Sequence, residues 1–286
     1  MDMHFWLLQV FNGVSYGALL FLLGSGLSLI FGVMRIVNLA HGSFFLLGGY
    51  VALTVMSATG SWLLAIPVAA LAVAVIGVLM ERIFLRPLGT DPLRQVLLTF
   101  GFVLLFQQGA LDIWGGDDLS INPPAVLMHA VIVGNLYLPL YRIFIIAVAA
   151  AIGLALWLVL DRTRAGAMVR ATVDDAQMAR GIGVDTSRVS MLTFGLGAFL
   201  AGLGGVIGGG FLGIYPGLDF EVLPLAFAVV IIGGMGSLAG AAIGAVVVGL
   251  VDDFGKVLFP QASYFTLYAP LVLLLAVKPT GLFGRE

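Results

Sequence analysis

Hydrophobic positions along this chain come in long continuous runs, without the one-sided stripes of helices and strands that turn a face to water. Eight such segments stand out: Phe5 to Phe31, Ile36 to Met56, Trp62 to Met80, Gln95 to Ile113, Ile143 to Leu160, Val189 to about Leu212, Val222 to Val251, and Tyr264 to Val277. Several approach or exceed the roughly 20 residues that carry a helix across a bilayer. In hydrocarbon the backbone must satisfy its own hydrogen bonds, so the runs predict an all-α polytopic membrane protein. Two of them are marked internally. The second opens on the polar series Asn38, His41 and Ser43, and the seventh is interrupted by GGMGS at Gly233 to Ser237, which predicts broken or re-entrant helices there. Between the fourth and fifth runs, Trp114 to Tyr141 holds Gly115, Gly116, Pro123, Pro124, Gly134, Asn135 and Pro139 and reads as a loop, with Ala125 to Val133 apolar enough to dip into the interface.

Composition excludes a water-soluble domain, since 61% of the 286 residues are hydrophobic and 10% are charged, with a mean hydropathy of +1.13. Residues 1–286 are expected to form a single transmembrane domain. The N-terminus lacks a basic leader and a small-residue cleavage site, so its run reads as a retained span with Trp6 at the interface. There are no cysteines, hence no thiolate metal site, and nothing calls for a cofactor. The 39 glycines suit helices that approach closely in lipid.

Charge orients the chain. The stretch Asp161 to Arg188 concentrates Arg162, Arg164, Arg170, Arg180 and Arg188 with Asp161, Asp174, Asp175 and Asp185. With the N-terminus outside, these five arginines and Arg35, Arg82, Arg86 and Arg94 all lie in the cytoplasm, and Arg142 faces out. Lys278 and Arg285 reach the same side only if the seventh region re-enters, turning at GGMGS and leaving on the side it came from.

Aligning Ala40 to Ala52 with Gly234 to Val246 superposes Gly42 on Gly236 and Ser43 on Ser237, each ahead of an apolar helix, a weak internal repeat. Transporters built from repeats place their broken helices around the substrate site, which makes Asn38, His41, Gly42, Ser43, Gly234, Gly236 and Ser237 candidate path residues. Both stretches are equally read as Gly-tolerant spans of a Gly-rich protein. Familiar catalytic signatures fail. GVSYG at Gly13 to Gly17 lies in a spanning helix and reads as helix packing, as do Gly205, Gly209 and Gly213, and Gly240 with Gly244. Neither a phosphate-binding loop nor an H-E-x-x-H zinc motif occurs.

Three segments carry a family resemblance: Gly26 to Tyr50 (GLSLIFGVMRIVNLAHGSFFLLGGY), Arg170 to Ile207 and Val229 to Gly249. Together they resemble the H-type permease subunits of bacterial branched-chain amino acid ABC importers, whose relatives also serve urea, short amides and aromatic acids. The resemblance implies a multi-pass protein of the bacterial inner membrane that does not itself hydrolyse ATP. Its implied partners are a second, M-type permease, two cytoplasmic ATPase subunits and a periplasmic substrate-binding protein. In Met168 to Ile182, Met168, Ala171, Met178, Ala179 and Ile182 share one face and Gly181 with Gly183 ends the run, which predicts one short amphipathic helix. The resemblance makes it the coupling helix that docks on the ATPase, with Arg170, Ala171, Asp174, Asp175, Ala176, Ala179 and Gly181 as contacts. Where family members often carry Glu-Ala-Ala, this chain has Asp175, Ala176 and Gln177. An interfacial helix held by lipid headgroups is the other reading of the same pattern.

His41 either lines the path or sits at the membrane surface near Arg35. Asp219 and Glu221 read as caps of the seventh segment, and Thr99, Gln107 and Gln108 as a polar face that joins helices. Few charges lie inside the apolar runs, which suits a neutral zwitterion and leaves no evident buried acid for proton or sodium coupling. The functional class is therefore an ATP-driven permease or, alternatively, a self-contained carrier or channel. For the former, Asn38 to Ser43 and Gly233 to Ser237 are expected to face each other across the passage.

Overall fold

The structure, a computed structural model, describes residues 3–89, 91–134 and 136–262, and beyond them 265, 268, 271–272, 275–278 and 281–283. Its helices are α1 (Met3–Met34), α2 (His41–Thr59), α3 (Trp62–Met80), α4 (Pro92–Trp114), α5 (Leu140–Arg162), α6 (Arg164–Asp174), α7 (Ala176–Gly181), α8 (Thr186–Leu212), α9 (Leu218–Gly233) and α10 (Leu238–Leu258). Among the described residues seven helical stretches are long and apolar enough to cross a membrane; α6, α7 and the 16-residue α9 are not among them. The span expected at Tyr264 to Val277 lies largely outside the described residues, as does Arg285; the described positions 265, 268, 271–272 and 275–277 are helical.

Local chemistry sets the boundaries. The carboxylate of Asp91 accepts the backbone N–H groups of Leu93 and Arg94 at 3.1 and 3.3 Å, and Pro92 takes the first helical position, so α4 begins a turn before the expected Gln95. Ser61 caps α3 in the same way, accepting from the Leu64 N–H. At its other end α3 widens into a π-helical turn, Glu81–Leu85, and tightens into a 3₁₀ turn at Arg86–Leu88. The loop after α4 carries a hairpin, β1 (Ala130–Val133) with β2 (Leu136–Pro139), paired antiparallel with Ala130 opposite Pro139. The stretch expected to dip into the interface is thus a 3₁₀ turn, Ala125–Met128, followed by a strand.

Close helix approach builds the centre of the bundle. α1 and α8 are 78% buried over their most apolar windows, against 17% for α4 and α5, so the first pair forms the spine and the second the periphery. α1 runs antiparallel to α8, where Gly26 meets Gly197, and antiparallel to α10, where Gly13 meets Leu250 and Gly17 meets Ala245. A methyl at Gly17 would come within 2.5 Å of the Ala245 carbonyl oxygen, which is why this pair tolerates no side chain. α2 crosses α8 with equal intimacy, Gly48 against Gly202 and Gly205 against the Phe45 carbonyl.

One end of the bundle gathers Arg35, Arg86, Arg170 and Arg180 around two clefts. The far end holds Arg142, which donates to Asn12 Oδ1 at 2.7 Å and lies over Phe211, together with the Trp6–Phe254 stack. After α8 the chain turns at Gly213 and Gly217, both at positive φ, and α9 descends to the arginine-rich end. There Gly236 packs on Gly32, and α10 returns to the far end beside the start of α1. The seventh segment therefore leaves on the side it came from. Its turn lies at the end of the bundle, not within it, and the interior break falls at Gly213–Gly217. Backbone N–H groups of Leu282 and Phe283 donate to the Ile232 and Gly233 carbonyls, and Lys278 donates to the Leu282 carbonyl, so this tail lies at the arginine-rich end.

Candidate functional site

α1 stops because Arg35 adopts φ +57°, and the chain then climbs back into the bundle without helical structure before α2 begins. Asn38 is fully buried; its Oδ1 accepts the Ala40 N–H at 3.1 Å, while its Nδ2 has no partner among the described residues. Thr99 Oγ1 accepts the Leu39 N–H, tying this ascent to α4. His41 is also fully buried, and its Nε2–H donates to the Leu23 carbonyl at 2.9 Å. Leu23 stands 11 residues before the end of α1, about 16 Å up the helix at 1.5 Å per residue. His41 thus lies deep among helices and faces Phe44 edge-on, not at the membrane surface near Arg35.

Gly42 and Ser43, in the first turn of α2, meet the first turn of α9. A side chain at Gly42 would strike the Asp219 carbonyl oxygen. Ser43 Oγ donates to Asp219 Oδ2 at 2.8 Å, and Gln107 Nε2 of α4 donates to Oδ1 at 3.2 Å. Asp219, only 2% exposed, is thereby held by two neutral donors where two helix N-termini converge, a favourable place for a negative charge. The expectation of no buried acid is wrong: Glu81 is equally buried, and Asp252 is nearly so and pairs with Lys256. Sequence alone makes Asp219 a simple cap, since its partner Ser43 is 176 residues away. The signal that could have found it is an acid just past the Gly213 to Gly217 break and ahead of an apolar helix.

Gly234, Gly236 and Ser237 occupy the other end of α9. Gly234, at φ +98°, ends that helix, and Ser237 Oγ accepts the Gly240 N–H at 3.0 Å to open α10. Ser28 Oγ of α1 donates to the Ser237 carbonyl. Asp219 and Gly233 are 14 residues apart on α9, about 20 Å, so the two expected breaks do not face each other. The end of the first break, Gly42 and Ser43, instead meets Asp219 in the first turn of α9.

The amphipathic stretch is two helices, not one. Asp175, at φ −155° and ψ 103°, ends α6 and caps α7, its Oδ1 accepting the Gln177 and Met178 N–H groups at 2.8 and 2.9 Å. The expected apolar face divides accordingly. Ala179 is buried and Ala171 half-buried, whereas Met168, Met178 and Ile182 are exposed. Gly181 closes α7, and Gly183 supplies the positive φ of the turn. Arg170 pairs with Asp161 at 3.8 Å. Arg170 and Asp174 line a cleft of about 380 Å³ together with Gly236 and Ser237, which brings members of the two expected groups into one place. Ala176 lines a second cleft of about 550 Å³ on the other side of Gly32 and Arg35.

Comparison with known proteins accounts for nearly the whole chain. Residues 9–277 match the family described as branched-chain amino acid transport system / permease component. The high-affinity branched-chain amino acid transport system permease protein LivH of Salmonella typhimurium is 30% identical over 98% of this chain and 96% of its own length. BraD of Pseudomonas aeruginosa, of the same description, is 27% identical over 99% and 97%. A probable LivH of Methanocaldococcus jannaschii is 26% identical over 96% and 91%. No solved structure matches.

Proposed function

The chain belongs to the family of branched-chain amino acid transport permease components, and on that premise we propose that it is the transmembrane permease subunit of an ABC importer for branched-chain or related hydrophobic amino acids. The observation that carries the reading is a family match running almost end to end, with relatives covered over 96% and 97% of their own length whose descriptions agree. Residues 1–286 act as one transmembrane domain in the inner membrane. Nine arginines support an arginine-rich end in the cytoplasm and an N-terminus outside.

In this reading a periplasmic binding protein delivers the amino acid to the far end. α6 and α7 dock on one of two ATPase subunits, offering Met178 and Ile182 as apolar contacts, and a related M-type permease completes the pathway. Asn38, His41, Gly42, Ser43 and Asp219 brace the entry to α2 and α9, while Gly234, Gly236 and Ser237 lie at the cytoplasmic mouth beside Arg170 and Asp174. Motion of α6 is then felt directly at the α9–α10 turn, because one cleft contains both.

The test is reconstitution. Proteoliposomes carrying the permease pair and the ATPases are expected to take up radiolabelled leucine only with ATP inside and the binding protein outside. The buried acids, Asp219 and Glu81 foremost, are the features favouring a self-contained carrier. Leucine uptake by this chain alone, driven by a proton or sodium gradient, would establish that alternative and overturn the proposal.

A further inference from the structure

The second cleft lies directly beneath the non-helical ascent into α2 and is walled by α1, the turns after α3, α4 and α6–α7. Glu81 enters it from the π-helical turn. The residue is 2% exposed, and its Oε2 has no hydrogen-bond partner among the described residues. Burying a carboxylate oxygen without a donor is costly, so such a group marks a place where a donor arrives from elsewhere. Three arginines line the same cleft from three different elements: Arg35 from the end of α1, Arg86 from the 3₁₀ turn and Arg180 from α7. The lining also includes apolar Val33, Ile36 and Leu85.

From this juxtaposition we propose that the cleft is a release subsite for an amino acid zwitterion. The ammonium group is met by Glu81, the carboxylate by the arginines and the aliphatic side chain by the apolar wall. The inference rests on the reading of the chain as an amino acid permease and extends it by naming where substrate is held before it leaves. A bare anion would pair with the arginines but leave Glu81 without a donor, and a bare cation would be repelled by the arginines. A molecule carrying both charges close together satisfies the two sides at once, and a cleft of about 550 Å³ has room for it. Since Arg180 belongs to α7, movement of that helix during the ATPase cycle would dismantle the anion half and let the substrate go.

Saturation-transfer NMR on the assembled permease–ATPase complex in nanodiscs, without the binding protein, tests this with L-leucine as the probe. Transfer to the leucine methyl groups is expected. Isocaproate, which lacks the ammonium, and leucinamide, which lacks the carboxylate, should compete poorly. Glu81→Gln removes one charged hydrogen bond and should weaken leucine binding about tenfold, and Arg86→Gln, at an exposed side chain, should weaken it in the same direction. The second variant carries the test if the first fails to assemble. Unchanged leucine binding in an assembled variant, or isocaproate competing as well as leucine, overturns the inference. So does a Glu81→Gln complex that binds leucine normally but loses coupling, because Glu81 would then serve the ATPase contact. Binding-protein-dependent uptake by the unaltered complex separates the two levels: import with unchanged binding in the variants sinks only the subsite, whereas no import of any amino acid sinks the functional reading and the subsite with it.

Discussion

Replacing Met178 by glutamate probes the proposed ATPase contact with the least damage to the permease itself. Met178 and Ile182 project from the end of α7 with 65% and 72% of their surface open. Fully burying a side chain of this size is worth about 1.5–3 kcal/mol, so covering the open two-thirds recovers roughly 1–2 kcal/mol for each. Met178→Glu forfeits that share and brings a carboxylate into the contact, whose unpaired burial costs a further several kcal/mol. A total near 3 kcal/mol or more corresponds to association weakened at least about a hundredfold. On the free subunit the same position is an exposed helix surface, where a substitution costs within about 0.5 kcal/mol. Insertion and thermal unfolding of the permease should therefore be unchanged, while ATPase retained on the tagged permease and binding-protein-dependent uptake both collapse. Full uptake with the ATPase still bound would refute the docking surface and favour a helix resting on lipid headgroups. Ala179→Glu is a poorer probe, because Ala179 is 2% exposed and its carbonyl accepts the Val184 N–H, so a charge there disrupts the loop before any partner is involved.

Gly205→Val should fail to assemble, since its first added carbon would overlap the Phe45 carbonyl; a fall in melting temperature or expression of a full-length but aggregated chain would show it. Asp219→Asn turns an amide donor toward Ser43 or Gln107 and should cost about 1.5–3 kcal/mol, the worth of a hydrogen bond to a charged group, read as a lowered unfolding temperature that Ser43→Ala reproduces in part. With no native cysteines to interfere, Ser43→Cys should resist a membrane-impermeant maleimide, because Ser43 is 1% exposed, whereas Met235→Cys, half-open at the arginine-rich end, should react in inside-out vesicles alone. Labelling of Met235→Cys in intact cells would reverse the orientation.

The spans were legible because length and apolarity act locally: a run such as Val189 to Leu212 has few ways to exist other than as a bilayer-length helix. The GGMGS interruption was legible for the same reason, since consecutive glycines weaken any helix. What escaped was set by distant partners. Depth at Asn38 and His41 comes from the climb after Arg35 and from packing on α1 and α4, so the polar opening of the second segment gave no measure of it. The meeting of the α2 and α9 first turns joins residues 176 apart, and pairing the wrong breaks by repeat alignment followed from two matching residues without a contact to weigh them. Asp175, by contrast, carries a local signal. Periodicity runs through it undisturbed, yet an aspartate two and three residues ahead of Gln177 and Met178 is a helix-start signal, and the local hydrogen bonds prevailed over the pattern.

Backbone contact at the glycine crossings has a mechanical side. Where Gly17 meets Ala245, Gly26 meets Gly197 and Gly48 meets Gly202, backbone lies against backbone, with no side chain at the contact that could change rotamer to allow sliding. α1, α2, α8 and α10 are consequently locked as a single stiff block, because shear between packed helices is absorbed by interdigitated side chains. Whatever opening and closing the protein performs has to be borne where contacts are side-chain-mediated and sparse, at the rims of α4 and α5 and at the short α6–α7 pair. The frame stays fixed, and its outer staves do the swinging.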